Sequence, residues 1–529
     1  MKQKNTIFSA LLIAALLSTL TSCLGRFETL NTNPNQVKGD QMDVNNYRTG
    51  TKIVSLQSLV VPMQEHQYQF IESLVGCPFA GYMGSTVDTW LTRWETYNPS
   101  DDWRAKPFKD VITELYTPYR GILSGTDDEV AIAFANLFRV AVMHRMTDSY
   151  GPIPYSNVLT TEKVKVKYDS QEEVYTTMFE ELDLAIATLE NNRNLSASAW
   201  NKYDRVYYGD ISKWIKYANS LKLRMAMRIS YVRPELAAQK ASEAIAGGLI
   251  LTNADNAYIH PVDNKLALIY NDWSDHRAGA DILSYMSGYN DPRLEKMFTK
   301  NNPGSEDEAS RKYVGLRIGS AISSKADFIE NYSNMSVTPS DPVLWMNAAE
   351  VNFLLSEYEL RLNNDKAKAK EHYEAGVTLS FEERGAAGAK EYLLDTEHTP
   401  ELYIDPLGKY SGERKMSECK IAWDVTGDEE TNLEQIITQK WIAIFPLGNE
   451  AWAEYRRTGY PRLLPAPQNL GPDPIDANRH ARRLIYPIEE YNENLENLNE
   501  AISILNGESA EAKGDQMGTR VWWDVKAYR

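Results

Sequence analysis

Two segments of the sequence combine aromatic rings with hydrogen-bonding side chains. In the first, Trp90, Trp94 and Tyr97 stand among threonine, aspartate and asparagine, and in the second, residues 270–277 read Tyr-Asn-Asp-Trp-Ser-Asp-His-Arg. A ring held at a surface can stack on the C–H face of a sugar while polar groups at its rim bind the hydroxyls, and the same combination suits a peptide. The candidate ligand contacts are Trp90, Trp94, Tyr97, Tyr270, Asp272, Trp273 and Arg277. We expect Trp90, Trp94 and Trp273 to lie close together on a concave surface, the alternative being that these rings only pack within loops.

The motifs that usually carry catalysis are missing from the sequence. Its histidines form no His-x-x-x-His pair and no His-Glu-x-x-His, so no zinc site is expected. There is also no phosphate-binding loop, no dinucleotide-binding glycine motif and no Gly-x-Ser-x-Gly. We therefore expect a binding protein without a cofactor. Two alternatives stay open: a surface glycoside hydrolase, which needs only two carboxylates about 5–10 Å apart, and a helical-repeat protein–protein adaptor.

The N-terminus has the parts of a lipoprotein signal. Lys2 and Lys4 give a positive start, and the apolar stretch 7–17 is too short to span a bilayer, which takes roughly 20 residues. Leu20-Thr21-Ser22-Cys23 then places a small residue directly before a cysteine. This pattern predicts a signal peptide over 1–22 and a lipid on Cys23, whereas an ordinary signal peptide with an incidental cysteine is the alternative. A lipoprotein anchor holds more than one acyl chain, as stable attachment to a membrane requires.

The charge of the chain excludes partners that need a basic surface. The sequence carries 73 acidic and 56 basic side chains, a formal net charge of −17 at pH 7, which argues against binding to nucleic acid. After the signal no apolar run reaches the length of a transmembrane helix. Besides Cys23 only Cys77 and Cys419 remain, too few for a disulfide framework. The 31 Tyr and 12 Trp far outnumber the 13 Phe, a bias that is typical of wet contact surfaces.

Much of the chain has the periodicity of amphipathic helices. Ser170 and Glu173 form a capping box ahead of an apolar stripe, and two helices separated by 363–365 make a hairpin close to a tetratricopeptide unit of about 34 residues. We therefore predict a mostly α fold of tetratricopeptide-like stacked helix pairs, with the scaffold mainly in 43–250 and 343–458. Further helices are expected over 43–75, 104–122, 128–147, 234–246 and 433–457, the last interrupted at Pro446. Long irregular excursions that carry the binding surface are expected at 77–103, 251–342, 396–430 and 459–529.

Several stretches of the chain resemble the sequence motifs of a known protein family, and they occur in the same order along the chain. The most characteristic are 437–443, Ile-Thr-Gln-Lys-Trp-Ile-Ala, and 448–461, Gly-Asn-Glu-Ala-Trp-Ala-Glu-Tyr-Arg-Arg-Thr-Gly-Tyr-Pro. Others are Leu30-Asn31-Thr32-Asn33-Pro34-Asn35, Tyr150-Gly151-Pro152-Ile153-Pro154-Tyr155-Ser156, the stretch from Ala218 to Arg224, Ala349-Glu350 and Trp522-Trp523-Asp524. Together they resemble the SusD/RagB family of nutrient-binding outer-membrane lipoproteins of Bacteroidota. Pro152 is a departure, since an aspartate is common there, but it concerns a structural loop.

The resemblance implies one SusD-like domain over 23–529 that is lipid-anchored in the outer membrane and faces outward from the cell surface. Such a domain captures a glycan or a peptide and delivers it to a TonB-dependent barrel transporter (SusC-like), which is the partner the resemblance implies. It does not imply starch as the ligand. Within the matching motif, we interpret Arg456 and Arg457 as structural residues that hold carboxylates at a helix end, and Trp441 and Trp452 as core residues.

Overall fold

A computed structural model describes residues 46–158, 165–473 and 475–527. The predicted signal peptide 1–22 and the predicted lipid-bearing Cys23 lie outside the described residues. The chain divides into two units, Met1–Thr51 and Lys52–Arg529. In the first unit the described residues are 46–51, at the start of the first helix. All other described residues belong to the second unit.

The chain is mostly helical, as predicted. The longer helices are α1 Tyr47–Val60, α2 Val111–Leu123, α3 Glu129–Tyr150, α4 Gln171–Asn191, α5 Ile211–Arg228, α6 Pro234–Gly247, α7 Ala280–Gly288, α8 Ala348–Arg361, α9 Lys366–Arg384, α10 Glu429–Ala443, α11 Gly448–Thr458 and α12 Leu495–Glu508. Short α-helical turns are Glu65–Tyr68, Cys77–Phe79, Asp101–Ala105, Lys265–Ala267, Leu294–Met297, Lys325–Asn331, Ala389–Leu393 and Ile488–Glu493. Three segments are π-helical, Gln69–Gly76, Lys106–Asp110 and Leu268–Asp272.

Consecutive helices of the scaffold pack against each other in pairs. Contacts join α3 to α4, α5 to α6 and α8 to α9, and further contacts of α4 with α5 and of α8 with α10 stack the pairs. The capping box of Ser170 and Glu173 begins α4, and the break at Pro446 separates α10 from α11, both as expected. Neighbouring pairs thereby bury apolar faces that no single pair could bury alone. Among the described residues no helix is both long and apolar enough to cross a bilayer.

The C-terminal excursion is more helical than we expected. The segment 459–529 contains α12, whose buried stripe is formed by Leu498, Ala501 and Leu505. This stripe is short and stands among asparagines and glutamates, so its periodicity is weak in the sequence. Tertiary packing, rather than intrinsic propensity, therefore stabilises this helix.

Short antiparallel strands tie the excursions together. The strands are β1 Met83–Ser85, β2 Ala257–Ile259, β3 His276–Ala278, β4 Phe298–Thr299, β5 Asn334–Met335 and β6 Val343–Met346. They pair as β1 with β3, β2 with β6 and β4 with β5. In the first pair Ser85 lies opposite His276, which brings the excursion 77–103 next to 251–342. The two aromatic segments singled out in the sequence thus become neighbours.

Buried ion pairs join the helices of the characteristic motif. Arg457 donates to both carboxylate oxygens of Glu357 at 2.6 Å and to Glu454 at 2.7 Å. Burial alone would raise the pKa of Glu450, but Arg228, Arg224 and other cations lower it to about 2. Arg457 therefore holds carboxylates as interpreted, whereas the buried Arg456 donates to the backbone carbonyls of Asp148 at 2.6 Å and of Arg482 at 2.9 Å. Trp441 and Trp452 are buried in the core as expected.

Candidate ligand-binding site

Four of the seven predicted contact residues are buried and do not offer a surface to a ligand. Trp94 and Tyr270 are fully buried, and Tyr97 and Arg277 are 4% exposed. The ring of Tyr97 stacks on Phe79 with centroids 6.3 Å apart, and the hydroxyl of Tyr270 lies 2.9 Å from the Ser73 hydroxyl. The expectation that Trp94 shares an open concave surface with Trp90 and Trp273 is wrong, because its ring is inserted into the core beneath the loop.

The side chain of Arg277 points away from Trp90 because of strand geometry. It follows His276 in β3, and successive side chains of a strand point to opposite faces. The ring of His276 lies 6.4 Å from that of Trp90, so the guanidinium of Arg277 belongs to the other face. Burial lowers the pKa of Arg277 to about 10. The guanidinium Nη1 donates to the carbonyl of His276 at 2.8 Å, so it is held by backbone.

The surface instead carries a group of five rings, to which we refer as the aromatic cluster. Its members are His66, Phe70, Trp90, Trp103 and Trp273, and each is at least partly exposed. Ring centroids lie 5.3 Å apart for Trp90 and Trp103, 5.6 Å for Phe70 and Trp103, and 5.3 Å for His66 and Trp273. His66 and Phe70 are four residues apart along a helix, which places them on one face. The cluster therefore links the two predicted aromatic segments through the helix predicted over 43–75, in which no ligand contact was expected.

Three members of the aromatic cluster lie in or near π-helical segments. Phe70 lies in Gln69–Gly76, Trp103 lies one turn before Lys106–Asp110, and Trp273 directly follows Leu268–Asp272. A π-helical turn inserts an extra residue and re-aims the side chains beside it, and such turns are frequent at functional sites. Sequence periodicity cannot detect this insertion, so Phe70 and Trp103 were assigned to regular helices or loops.

Polar side chains fix the loops around the rings. The Asp275 carboxylate accepts from Gln69 Nε2 at 3.0 Å and from Lys325 Nζ at 2.6 Å. The backbone amide of Lys325 in turn donates to Asp88 at 3.3 Å, beside Trp90. Asp272, which was predicted as a contact, is exposed next to Trp273. Rings and hydrogen-bonding groups thus occur together at this surface, the combination that recognises sugars or peptides.

His276 lies beneath the aromatic cluster as a buried, neutral ring. It is packed between Trp90 and Tyr270, and neither ring nitrogen has a hydrogen-bond partner within the described residues. Burial, together with the nearby cations Lys325 and Arg277, lowers its pKa to about 4 despite the opposing effect of Asp275. At neutral pH the ring therefore supports Trp90 by packing rather than by charge.

Two cavities among the described residues are too small for a sugar ring. The first, of about 40 Å³, is lined by Gln67, Ile71 and Pro107 among others, and the second, of about 90 Å³, is lined by Tyr68, Arg384 and Phe445 among others. A cavity that holds benzene measures about 150 Å³. Neither cavity could therefore hold a ligand of sugar size. Among the described residues no group of three or more His, Cys, Asp or Glu side chains could hold a metal ion.

Comparisons with known proteins assign the chain to a family. A family model described as "Susd and RagB outer membrane lipoprotein" matches residues 29–524. The chain belongs to the SusD-like family. This confirms the resemblance seen in the sequence, and SusD-like proteins are outer-membrane lipoproteins that bind nutrients. A comparison with curated protein sequences gave no match.

Solved structures of SusD homologues have the same fold. One from Bacteroides thetaiotaomicron is 48% identical with a TM-score of 0.87, and the match covers 91% of this chain and 100% of the homologue. Another, from Bacteroides ovatus, is 41% identical with a TM-score of 0.86, and this match also covers 91% of this chain and 100% of the homologue. A chitin-binding SusD homologue from Flavobacterium johnsoniae is 35% identical with a TM-score of 0.84, covering 90% of this chain and 99% of that one.

Proposed function

We propose that this SusD-like protein captures a glycan at the aromatic cluster and delivers it to a TonB-dependent outer-membrane transporter. The observation that carries the proposal is the aromatic cluster itself, since half-exposed rings beside hydrogen-bonding groups are costly to leave in water without a ligand. A peptide is the second ligand class, because its side chains and amides suit the same surface. Trp90, Asp272 and Trp273 are the sequence-predicted contacts that we retain, and His66, Phe70 and Trp103 join them.

Polymers of N-acetylglucosamine are the first ligands to test. A chitin-binding homologue shares 35% of its sequence with this chain over nearly the full length. The acetamido group of such a sugar adds a donor and an acceptor for the polar groups beside the rings, while the sugar keeps its C–H face for stacking. A screen should also include glucans, mannans and short peptides, since close homologues of one fold bind different ligands.

Binding without turnover distinguishes the proposal from a glycoside hydrolase. The purified protein should migrate more slowly in affinity electrophoresis when the gel contains a glycan that it binds. The glycan should be recovered with unchanged length after prolonged incubation with the protein. Turnover that is abolished by a single Asp or Glu substitution would make the hydrolase correct. Absence of affinity for any glycan or peptide, together with a tight protein partner, would favour the adaptor.

The attachment to the outer membrane rests on Cys23 and is part of the proposal. We expect residues 1–22 to be removed and Cys23 to be acylated, with 23–529 outside the cell as one SusD-like domain. In a lipidating host the protein should partition with membranes and incorporate a fatty-acid analogue. Labelling that persists in Cys23→Ala would contradict the anchor.

Delivery needs a second protein, because a tethered helical body has no pore of its own. We expect a TonB-dependent, SusC-like barrel transporter to be that partner, with the SusD-like body on its extracellular face. Extraction in mild detergent followed by affinity purification should recover such a barrel in near-equal amount. Recovery of the protein alone, under conditions that preserve other outer-membrane complexes, would refute the partnership.

A further inference from the structure

In two pairs of rings of the aromatic cluster the ring planes are close to perpendicular. The ring planes of Trp90 and Trp103 enclose 85°, and those of Phe70 and Trp103 enclose 75°. Both are edge-to-face contacts, a favourable arrangement for aromatic pairs. We call Phe70, Trp90 and Trp103 the ring corner. Because neither neighbour is parallel to Trp103, no flat surface can lie against Trp103 and another ring of the corner at once.

The loop that carries Trp90 is exposed on both sides of its ring. Asp88, Thr89 and Thr92 are exposed, and Leu91 is 79% exposed. An extended flat ligand would have to accommodate these side chains next to the corner. A single sugar, in contrast, can enter the angle with one ring against its C–H face and a second ring against its edge.

The remaining two rings add a separate facet to the site. His66 and Trp273 are tilted by only 31°, so they can present their faces in similar directions. His66 is joined to the ring corner by the helical turn that leads to Phe70. A chain longer than one sugar can therefore contact this facet as well as the corner.

Resting on the proposed function of the aromatic cluster, we propose that the site takes a single soluble glycan chain, by an end or a bend, and not the flat face of an insoluble polysaccharide. In crystalline cellulose, chitin or mannan the sugar faces are parallel and locked in a sheet, so they cannot lie against Trp103 and a neighbouring ring of the corner at once. A free oligosaccharide turns about its glycosidic bonds and can satisfy rings that are perpendicular.

Matched pairs of soluble and insoluble glycans test the shape of the site. The matched pairs are the hexamer and the crystalline powder of β-1,4-glucose, β-1,4-N-acetylglucosamine and β-1,4-mannose, and the hexamer of α-1,4-glucose is a further soluble probe. At least one hexamer should bind in calorimetry, and Trp103→Ala should weaken that binding roughly thirtyfold. No powder should retain the wild type more than it retains Trp103→Ala.

Two variants keep the test independent of misfolding. Phe70→Ala removes another ring of the corner and should weaken hexamer binding in the same direction, while Tyr208→Ala removes an exposed ring elsewhere, beside His260, and should change nothing. Retention on a powder that depends on Trp103 would overturn the inference but leave the proposed glycan-binding function standing. Failure to bind any hexamer overturns the inference, and if no glycan of any kind is bound, the proposed function fails with it.

Discussion

At the scale of residues, aromatic type and polar neighbours indicated the region of the candidate site and two of the five rings of the aromatic cluster. Trp90, Asp272 and Trp273 reach the surface, whereas Trp94 and Tyr270 are buried. Irregular segments have no periodicity that separates inward from outward side chains, so sequence alone could not divide these residues. His66 and Phe70 were missed for the opposite reason, because they lie in a stretch whose periodicity indicates a supporting helix.

The buried His276 should make the stability of the protein depend on pH. In the folded protein burial holds its pKa at about 4, against 6.5 when it is unperturbed, so only the unfolded chain takes up a proton between these values. The stabilisation is complete above pH 6.5 and is lost as the pH falls towards 4. When the pH is lowered from 7.5 to 5, protonation of this residue in the unfolded chain should lower the free energy of unfolding by about 2 kcal/mol.

Urea denaturation of wild type and His276→Leu at both pH values measures this contribution. The variant should lose less free energy of unfolding on acidification than wild type does, because it has one fewer histidine to protonate on unfolding. His260→Leu removes an exposed histidine and is the control of matched size. An identical pH dependence in wild type and His276→Leu would show that His276 is not held neutral.

At the scale of elements, the scaffold followed from periodicity, capping and the hairpin at 363–365, because these signals are local. The short strands and the π-helical segments did not, since their pairing and their extra residues depend on contacts distant in sequence. The pairing of β1 with β3 is the example that matters most for the site. It joins the loop of Trp90 to that of Trp273, and it is only three residues long in each strand.

A close approach of two helical segments holds the helix that carries His66 and Phe70. A Cβ atom at Gly448 would lie 2.3 Å from the backbone nitrogen of Cys77, and one at Gly76 would lie 2.2 Å from that of Asn449. Gly448→Ala must therefore push the two segments apart and should lower the free energy of unfolding by about 3 kcal/mol. Affinity for glycan should fall as well, because the displaced helix carries two rings of the aromatic cluster.

Gly507→Ala is the matched control for this contact. Gly507 lies in α12, and a Cβ atom there would have nothing within 4 Å. Replacing a helical glycine by alanine at an open position should raise the free energy of unfolding by about 0.5–1 kcal/mol, with unchanged affinity. Thermal unfolding of both variants checks the pair, and a neutral effect of Gly448→Ala would contradict the close packing.

At the scale of the whole molecule, family membership and the aromatic cluster support one account of the protein. SusD-like proteins are outer-membrane lipoproteins, and this chain matches their family model over residues 29–524. The chain carries a net charge of −17 at pH 7, and proteins of its family bind nutrients. The central claim is therefore that nutrient capture takes place on the exposed rings of the aromatic cluster.

Calorimetric titration of Trp273→Ala beside Tyr208→Ala, with the best glycan from the screen, tests that claim most directly. Each variant removes an exposed or half-exposed ring that lies beside a histidine, Trp273 next to His66 and Tyr208 next to His260. Loss of a stacking ring at a binding hot spot costs about 2 kcal/mol, so Trp273→Ala should bind about thirtyfold more weakly with a nearly unchanged melting temperature. Tyr208→Ala should bind like wild type. Unaltered affinity in Trp273→Ala, or equal losses in both variants, would contradict the account.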